Sequence, residues 1–245
     1  PRMADVLAAR DEAADLVSLV DDAEERERVA QRAVDAAEQA LAAAARALDD
    51  ARGAAAPRFS QAVSAQMQRL EMGAAQLVCE QRALPRASWT RSGASEVEFM
   101  FQPGAGMQAR PLARIASGGE VSRVMLAIKV VLGQADSVDT LVFDEVDAGV
   151  GGSVAVALAE VLADLARSHQ VIVVTHLAQV AVHGDVHYAV TKIAGDDGMP
   201  QTCLRRLSAD ERPAEIARML SGDATEASLA HAREMLGAVK GVQGE

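Results

Sequence analysis

The sequence predicts an α/β protein in which a long coiled-coil helix precedes a lobe built on a mostly parallel sheet. Two observations predict this class. An unbroken hydrophobic repeat runs through residues 6–51, and from Leu112 onward short apolar strands alternate with helical segments. We therefore expect a coiled-coil arm at 1–56 and a lobe at 57–245.

The repeat in this arm has the spacing of a coiled-coil seam. Its positions alternate steps of three and four residues, all but Glu27 are apolar, and one of the two core columns is almost entirely alanine. A helix with this seam needs a partner helix to cover it. The alternative is a single surface helix on a globular domain, for which this helix would be too long. The seam positions are Val6, Ala9, Ala13, Leu16, Val20, Ala23, Glu27, Ala30, Val34, Ala37, Leu41, Ala44, Leu48 and Ala51.

After the arm, we expect Gly53 and Pro57 to break or kink the helix, because both residues disfavour a helix interior. A second helical segment should then run from Phe59, with an apolar face that extends to Val78, and end near Pro85. The alternating residues 95–102 predict a strand, and the stretch 103–106 predicts a turn.

The lobe that follows repeats strand and helix at a spacing typical of parallel sheets with helical crossovers. We expect helices at 120–132, 154–167, 213–220 and 225–239, and strands at 140–143, 170–175, 186–192 and 202–207.

The composition excludes several classes of protein. Half of the 245 residues are hydrophobic and 24% are charged, as in folded globular chains, and no apolar stretch is long enough to cross a membrane. Two cysteines make no disulfide framework, so we expect a reducing cytoplasm. An aromatic content of 2% and a net charge of −11 argue against base-stacking platforms and against a broad electrostatic footprint on DNA.

Three motifs carry candidate chemistry. Asp144 and Glu145 end an apolar strand, where one carboxylate suits Mg²⁺ and the other could activate a water; the alternative is a pair of solvated loop carboxylates. Ser117 and two glycines open a helix, which suits anion binding, although an ordinary helix cap has the same pattern. His176 ends a second apolar strand, where it could contact a phosphate or a water.

Other patterns are weaker. Gly104 and Gly106 resemble part of a dinucleotide fingerprint, but no strand–turn–helix surrounds them. His176, His183 and His187 have the spacing of metal ligands without a cysteine or acidic ligand beside them. A basic stretch could face DNA or could be a solvated surface; it comprises Arg82, Arg86, Arg91, Arg110 and Arg114.

In sequence order, the three motifs resemble the C-terminal lobe of ABC-type ATPases, in which they are the signature motif, Walker B and the H-loop. The coiled-coil arm favours the SMC-like branch of this family. The amino-acid sequences of segments 114–123, 143–152 and 174–181 resemble those of bacterial DNA repair ATPases of that branch. The resemblance covers essentially the whole chain.

The resemblance implies roles for the strand-end residues, with ATP and Mg²⁺ as cofactors. Asp144 would assist the Mg²⁺ ion, and Glu145 would be the general base for the hydrolytic water. His176 would contact the γ-phosphate or that water.

It also implies roles across an interface between two heads. Ser117, Gly118 and Gly119 would bind the γ-phosphate of a nucleotide held mainly by another head, so that ATP joins the heads in a homodimer. Asp147 begins the D-loop region that crosses this interface. Within 149–152 this sequence has glycines where SMC proteins more commonly have bulkier or acidic residues.

The phosphate-binding motif G-x-x-x-x-G-K-[ST] does not occur in this sequence. The family carries it in an N-terminal lobe ahead of the first coil arm. We expect that lobe and arm to be partners outside this sequence, which starts at Pro1, and we expect this chain alone to be inactive.

The resulting hypothesis is a cytoplasmic, nucleoid-associated ATPase that acts on DNA ends in double-strand break repair and recombination, with no membrane partner. The alternative is a coiled-coil dimerisation scaffold that never turns over nucleotide. An ABC transporter subunit would have the three motifs, but it would lack the coiled coil and would carry its Walker A loop, the G-x-x-x-x-G-K-[ST] motif, in the same chain.

Overall fold

The computed structural model describes residues 2–115, 117–194 and 199–242. The chain folds as two compact units: Pro1–Ala55 with Gln81–Val97, and Ala56–Glu80 with Glu98–Glu245. Within the described ranges, no helix combines the length and the apolar character that crossing a membrane requires. The domain boundary near residue 56 stays a prediction from the sequence.

The first helix is longer than the sequence predicts. Helix α1 spans Met3–Arg69 and continues through both Gly53 and Pro57, so the expected break at these residues is wrong. A proline in a helix interior costs about 3 kcal/mol. Burial of Val63 and Met67 further along the helix, both fully inaccessible to solvent, offsets that cost, since each buried side chain contributes about 1.5–3 kcal/mol.

The second helical segment was expected to reach Pro85, and this is also wrong. After α1 ends, Glu71 and Gly73 adopt the left-handed backbone region, with φ of 52° and 63°, and strand β1 follows at Gln76–Ala83. Leu77 is buried on this strand rather than on a helix face, and its N–H donates to Ser64 Oγ at 3.1 Å.

In the first unit, residues 81–97 pack against the last turns of its helix. Arg52 donates to the carbonyl oxygens of Ser92 and Ser95 at 2.8 and 3.2 Å, and Ser95 Oγ donates to Asp49 Oδ1 at 2.6 Å. By contrast, the large side chains of the predicted seam are exposed: Val6, Leu16, Val20, Val34, Leu41 and Leu48.

The second unit contains the predicted α/β pattern. The parallel pair β4 and β5 aligns Thr140 with Gln170 and Phe143 with Val173. Strand β2 pairs antiparallel with β3, and β6 pairs antiparallel with β7. The bounds are β2 Ser95–Gln102, β3 Arg110–Pro111, α2 Gly118–Leu132, β4 Thr140–Phe143, α3 Ser153–Ala166, β5 Gln170–Val173, α4 Ala178–Ala181, β6 Tyr188–Ala194, β7 Pro200–Arg206, α5 Arg212–Ser221 and α6 Glu226–Val242.

These elements confirm an α/β fold class with a long helix ahead of it. The parallel sheet has two strands within the described residues, whereas β2 with β3 and β6 with β7 are antiparallel pairs. The core of the second unit lies between α1, α2, α3 and one face of the parallel pair. Its fully buried side chains include Leu126, Leu158 and Val161.

The parallel pair is covered on one face only. Leu141 and Phe143 are buried in the core, whereas the side chains on the other face are exposed, Val142 at 65%, Ile172 at 47% and Val174 at 56%. Successive side chains of a strand point to opposite faces, so these three form one apolar surface. We call it the open face.

Candidate functional site

The candidate site lies at the C-terminal end of β4 and β5. The backbone pairing continues one residue past β5, because Val174 N donates to Phe143 O, at the end of β4, at 3.0 Å. Asp144 and Glu145 therefore follow β4 directly. They lie beside the segment that follows β5 and contains His176. Ligands of open α/β sheets bind at this edge.

Asp147 connects the two strand ends. Its carboxylate is 4% exposed, and one oxygen, Oδ2, receives Thr175 Oγ1 at 2.5 Å and the backbone N–H of His176 at 3.0 Å. The ring nitrogen Nδ1 of His176 lies 3.1 Å from the same oxygen. Asp147 thus faces inward to Thr175 and His176. Its implied place in a region that crosses an interface between two heads stays a prediction.

The start of α2 packs directly against the segment that follows β4. A side chain at Gly118 would place its Cβ 2.6 Å from Glu145 Oε2, and one at Gly119 would lie 3.0 Å from Ala148 Cβ and 3.1 Å from Ala148 O. Close approach therefore favours glycine at Gly119, whose neighbours are a Cβ and backbone atoms, whereas a side chain at Gly118 would have to displace only the carboxylate of Glu145. Ser117 caps the helix, since its Oγ accepts the N–H of Glu120 at 3.4 Å.

Two further residues of α2 hold the same segment, and the sequence reasoning missed both. Ser122 Oγ donates to Asp144 O at 3.0 Å, and Arg123 Nη1 donates to Ala148 O at 3.1 Å. Partial burial of its guanidinium lowers the pKa of Arg123. Their spacing in the sequence could have identified them. Ser122 lies four residues after Gly118 and Arg123 four residues after Gly119, so each shares a helix face with one of the two glycines.

The backbone at Glu145 is strained. Its φ is 56°, in the left-handed region, which costs a residue with a side chain about 1–3 kcal/mol. A tight turn follows, closed by Ala148 N donating to Glu145 O at 3.0 Å, and Asp144 Oδ1 accepts the N–H of Glu145 at 2.9 Å. The strained turn sets where the Glu145 carboxylate lies, beside Gly118.

A magnesium ion could use the exposed Asp144 carboxylate. Across the ranges the structure describes, no group of three or more His, Cys, Asp or Glu side chains is placed to hold a metal ion. Mg²⁺ is commonly held by one or two carboxylates, with phosphate oxygens and waters as its other ligands. The oxygen donors of Asp144 therefore fit an ion that arrives with a nucleotide.

The structure also shows the surroundings of the histidines and arginines in the weaker patterns. His176, His183 and His187 form no metal cluster within the described chain, and burial lowers the pKa values of His183 and His187. Two arginines of the basic stretch have intramolecular partners: Arg82 pairs with Glu96, and the Arg86 guanidinium lies 4.8 Å from the centre of the Trp89 ring.

Comparison with solved structures finds partial matches to heads of SMC proteins. An Smc head domain with a coiled coil and joint from Pyrococcus yayanosii is 18% identical, covers 62% of this chain and 27% of its own, and has a TM-score of 0.44. An SMC head domain from Thermotoga maritima is 21% identical, covers 62% of this chain and 48% of its own, and has a TM-score of 0.35. No protein-family model matches the chain.

Curated relatives match much more strongly in sequence. The DNA repair protein RecN of Mycobacterium leprae is 53% identical over 161 residues, which are 64% of this chain and 27% of that protein. RecN of Deinococcus radiodurans is 54% identical over 144 residues, 59% of this chain and 25% of that protein. RecN of Streptomyces coelicolor is 45% identical over 198 residues, 76% of this chain and 34% of that protein.

The chain thus spans about a quarter to a third of the length of the curated relatives it matches. Over that span, which lies in the C-terminal part of the chain, it is similar in sequence to the DNA repair protein RecN.

Proposed function

We propose that this chain supplies the C-terminal lobe of an SMC-like ATPase head that acts in DNA repair. The observation that carries the proposal is the direct contact of the α2 start with the Glu145–Ala148 turn, at the C-terminal end of a parallel strand pair. The similarity to RecN proteins at 45–54% identity supports the role in repair.

In this proposal, the strand-end residues act on ATP. Asp144 helps to hold Mg²⁺, which supplies positive charge to the phosphate oxygens. Glu145 accepts the proton of the attacking water, and His176 lies on the neighbouring strand end to orient the reacting groups. The strained backbone of Glu145 keeps its carboxylate next to Gly118.

The α2 start acts on a nucleotide bound mainly by a second head. Ser117 and Gly118 are exposed, so their hydroxyl and N–H groups are accessible to a phosphate at the positive end of the helix. The Ser117 hydroxyl accepts one hydrogen bond as a helix cap and retains its own proton to donate. Binding of ATP would join two heads in a homodimer, and hydrolysis would release them.

Two apolar surfaces support further partners from the same protein. Parallel sheets normally have both faces covered, so the open face at Val142, Ile172 and Val174 fits contact with a lobe that carries the Walker A loop. The exposed seam of α1 likewise fits a first coiled-coil arm. We place the assembled protein in the cytoplasm, at DNA ends, with contacts mainly to backbone phosphates.

The test uses the complete protein with the substitution Glu145→Gln. We expect ATP hydrolysis to fall at least a hundredfold while ATP-bound head dimers accumulate, measured by phosphate release and by light scattering after size exclusion. This 245-residue chain by itself should hydrolyse ATP negligibly.

Asp139→Asn is a matched control, because Asp139 is exposed and precedes β4 at its opposite end. Unchanged turnover in Glu145→Gln would remove Glu145 from the role of base. Absence of ATP hydrolysis by the complete unmutated protein would favour the alternative, a coiled-coil scaffold, for which the long exposed seam is the supporting observation.

A further inference from the structure

The buried carboxylate of Asp147 has no role in the chemistry described above, although it is the most buried acidic side chain of the site. Three polar atoms converge on its Oδ2: Thr175 Oγ1, His176 N and His176 Nδ1, at 2.5, 3.0 and 3.1 Å. A buried polar group engaged in this way fixes the segments that it joins, because moving either segment away would leave the buried carboxylate without its hydrogen-bond donors.

The contacts also determine which ring nitrogen of His176 carries the proton. Oδ2 of Asp147 already accepts hydrogen bonds from the hydroxyl of Thr175 and the N–H of His176, so it acts as an acceptor toward the ring as well. Nδ1 must therefore be the protonated nitrogen. In a neutral imidazole the other nitrogen, Nε2, is then an acceptor.

The position of the ring gives that acceptor access to ligands. The side chain of His176 is 71% exposed, whereas Asp147, which holds its Nδ1 edge, is 4% exposed. Thr175 strengthens the arrangement, since its Oγ1 also accepts the N–H of Leu177 at 3.0 Å and thereby fixes the turn after β5. The ring is held on one edge and open on the other.

We propose that Asp147 is a positioning residue that fixes the backbone and the ring tautomer of His176, so that Nε2 faces the site as a hydrogen-bond acceptor. An acceptor at this position matches the attacking water, which has protons to donate, and not an unprotonated phosphate oxygen. This inference rests on the proposed ATPase function for its kinetic consequence, but the tautomer itself does not depend on it.

The first experiment measures the tautomer in the 245-residue chain by ¹⁵N NMR of the histidine rings at mildly alkaline pH, with His176→Gln used to assign the signals. We expect a protonated Nδ1 and an unprotonated Nε2 at His176. In Asp147→Asn the new amide can donate to Nδ1, so the population should shift to the Nε2-protonated form. Asp139→Asn should leave the spectrum of His176 unchanged.

A second pair of variants covers the case in which Asp147→Asn does not fold. Thr175→Val removes a donor that orients the carboxylate and should shift the tautomer in the same direction by a smaller amount. Thr175→Ser keeps the hydroxyl that Thr175→Val removes, so it should keep the tautomer of the unmutated chain. A His176 ring unprotonated at Nδ1 in the unmutated chain, or unaffected by both Asp147→Asn and Thr175→Val, overturns the proposal.

The second experiment measures ATP hydrolysis by the complete protein. Asp147→Asn should lower kcat about ten- to a hundredfold, by analogy with the carboxylate partners of metal-bound histidines, with KM for ATP unchanged. In a His176→Gln background the same substitution should have no further effect. An equal loss in both backgrounds contradicts action through His176, whereas a complete protein without any ATP hydrolysis contradicts the proposed function and leaves the tautomer result standing.

Discussion

Gly118 and Gly119 illustrate how single residues set the geometry of this site. Both are at the start of α2, where the missing side chains let the helix approach the turn at Glu145 and Ala148. The sequence identified these glycines as candidates for phosphate binding. The structure adds that Gly119 is needed for packing, whether or not a phosphate binds, because a side chain there would meet Ala148 Cβ and backbone oxygens.

We expect Gly119→Ala to destabilise the second unit. The new methyl group would lie 3.0 Å from Ala148 Cβ and 3.1 Å from the Ala148 carbonyl oxygen, which belongs to the backbone and cannot easily move. Overpacking of this kind costs about 1–3 kcal/mol, only partly offset by the helix propensity of alanine. Urea denaturation measures the free energy of unfolding.

Gly237→Ala in α6 is the matched control, because nothing lies within 4 Å of the position of its Cβ. This control should gain up to about 1 kcal/mol from helix propensity alone. If Gly119→Ala were as stable as Gly237→Ala, the close packing of α2 on the turn would be refuted.

Helix α5 depends on a charged contact at its first turn. Glu211 precedes the helix, accepts the backbone N–H of Ser208 at 2.8 Å and pairs with Arg205 at 2.6 Å. The Ser208 backbone N–H, followed by Arg205, lowers the pKa of Glu211 from an ordinary 4.5 to about 2.

The pH dependence follows from the lowered pKa. The stabilisation is fully present above the unfolded-state pKa of 4.5 and is lost as pH falls through the folded-state value of about 2. The stability difference between the unmutated chain and Glu211→Gln should therefore shrink progressively across this interval, as measured by thermal unfolding.

Ser208→Ala tests whether the backbone N–H or the hydroxyl of Ser208 contributes more to the lowered pKa of Glu211. It keeps the backbone N–H, the largest cause of the lowered pKa, and should retain most of the pH dependence. Parallel stability curves for Glu211→Gln and the unmutated chain between these pH values would show that Glu211 makes no linked contribution.

Among the elements, those with a clear local pattern were predictable. Strand β2 coincides with the expected 95–102 and β4 with 140–143, because alternation and short apolar runs are local signals. The predicted helix break was wrong because Pro57 is a local signal that long-range burial of Val63 and Met67 overrides.

At the scale of the whole molecule, we expect substitutions on the open face to affect the complete protein and to leave the stability of this chain nearly unchanged. Val142→Glu changes a side chain that is 65% exposed, so the unfolding free energy of this chain should change by no more than about 0.5 kcal/mol. Leu141→Ala, on the buried face of the same strand, should cost about 2–5 kcal/mol. Denaturant titration of both variants measures these differences.

In the complete protein, Val142→Glu should instead impair folding or ATP hydrolysis, because the charge would be buried against the lobe proposed to cover the open face. A complete protein that tolerates this substitution would show that nothing apolar covers β4 and β5 at this position.

The sequence by itself determined the α/β class, the strands β2 and β4, and the candidate residues Ser117, Asp144, Glu145 and His176, because periodicity and strand-end motifs are local in the chain. Only the tertiary structure decided that α1 runs through Pro57 and that Asp147 turns inward to His176. Both depend on contacts between residues far apart in sequence, whose burial and hydrogen bonding outweigh local preference.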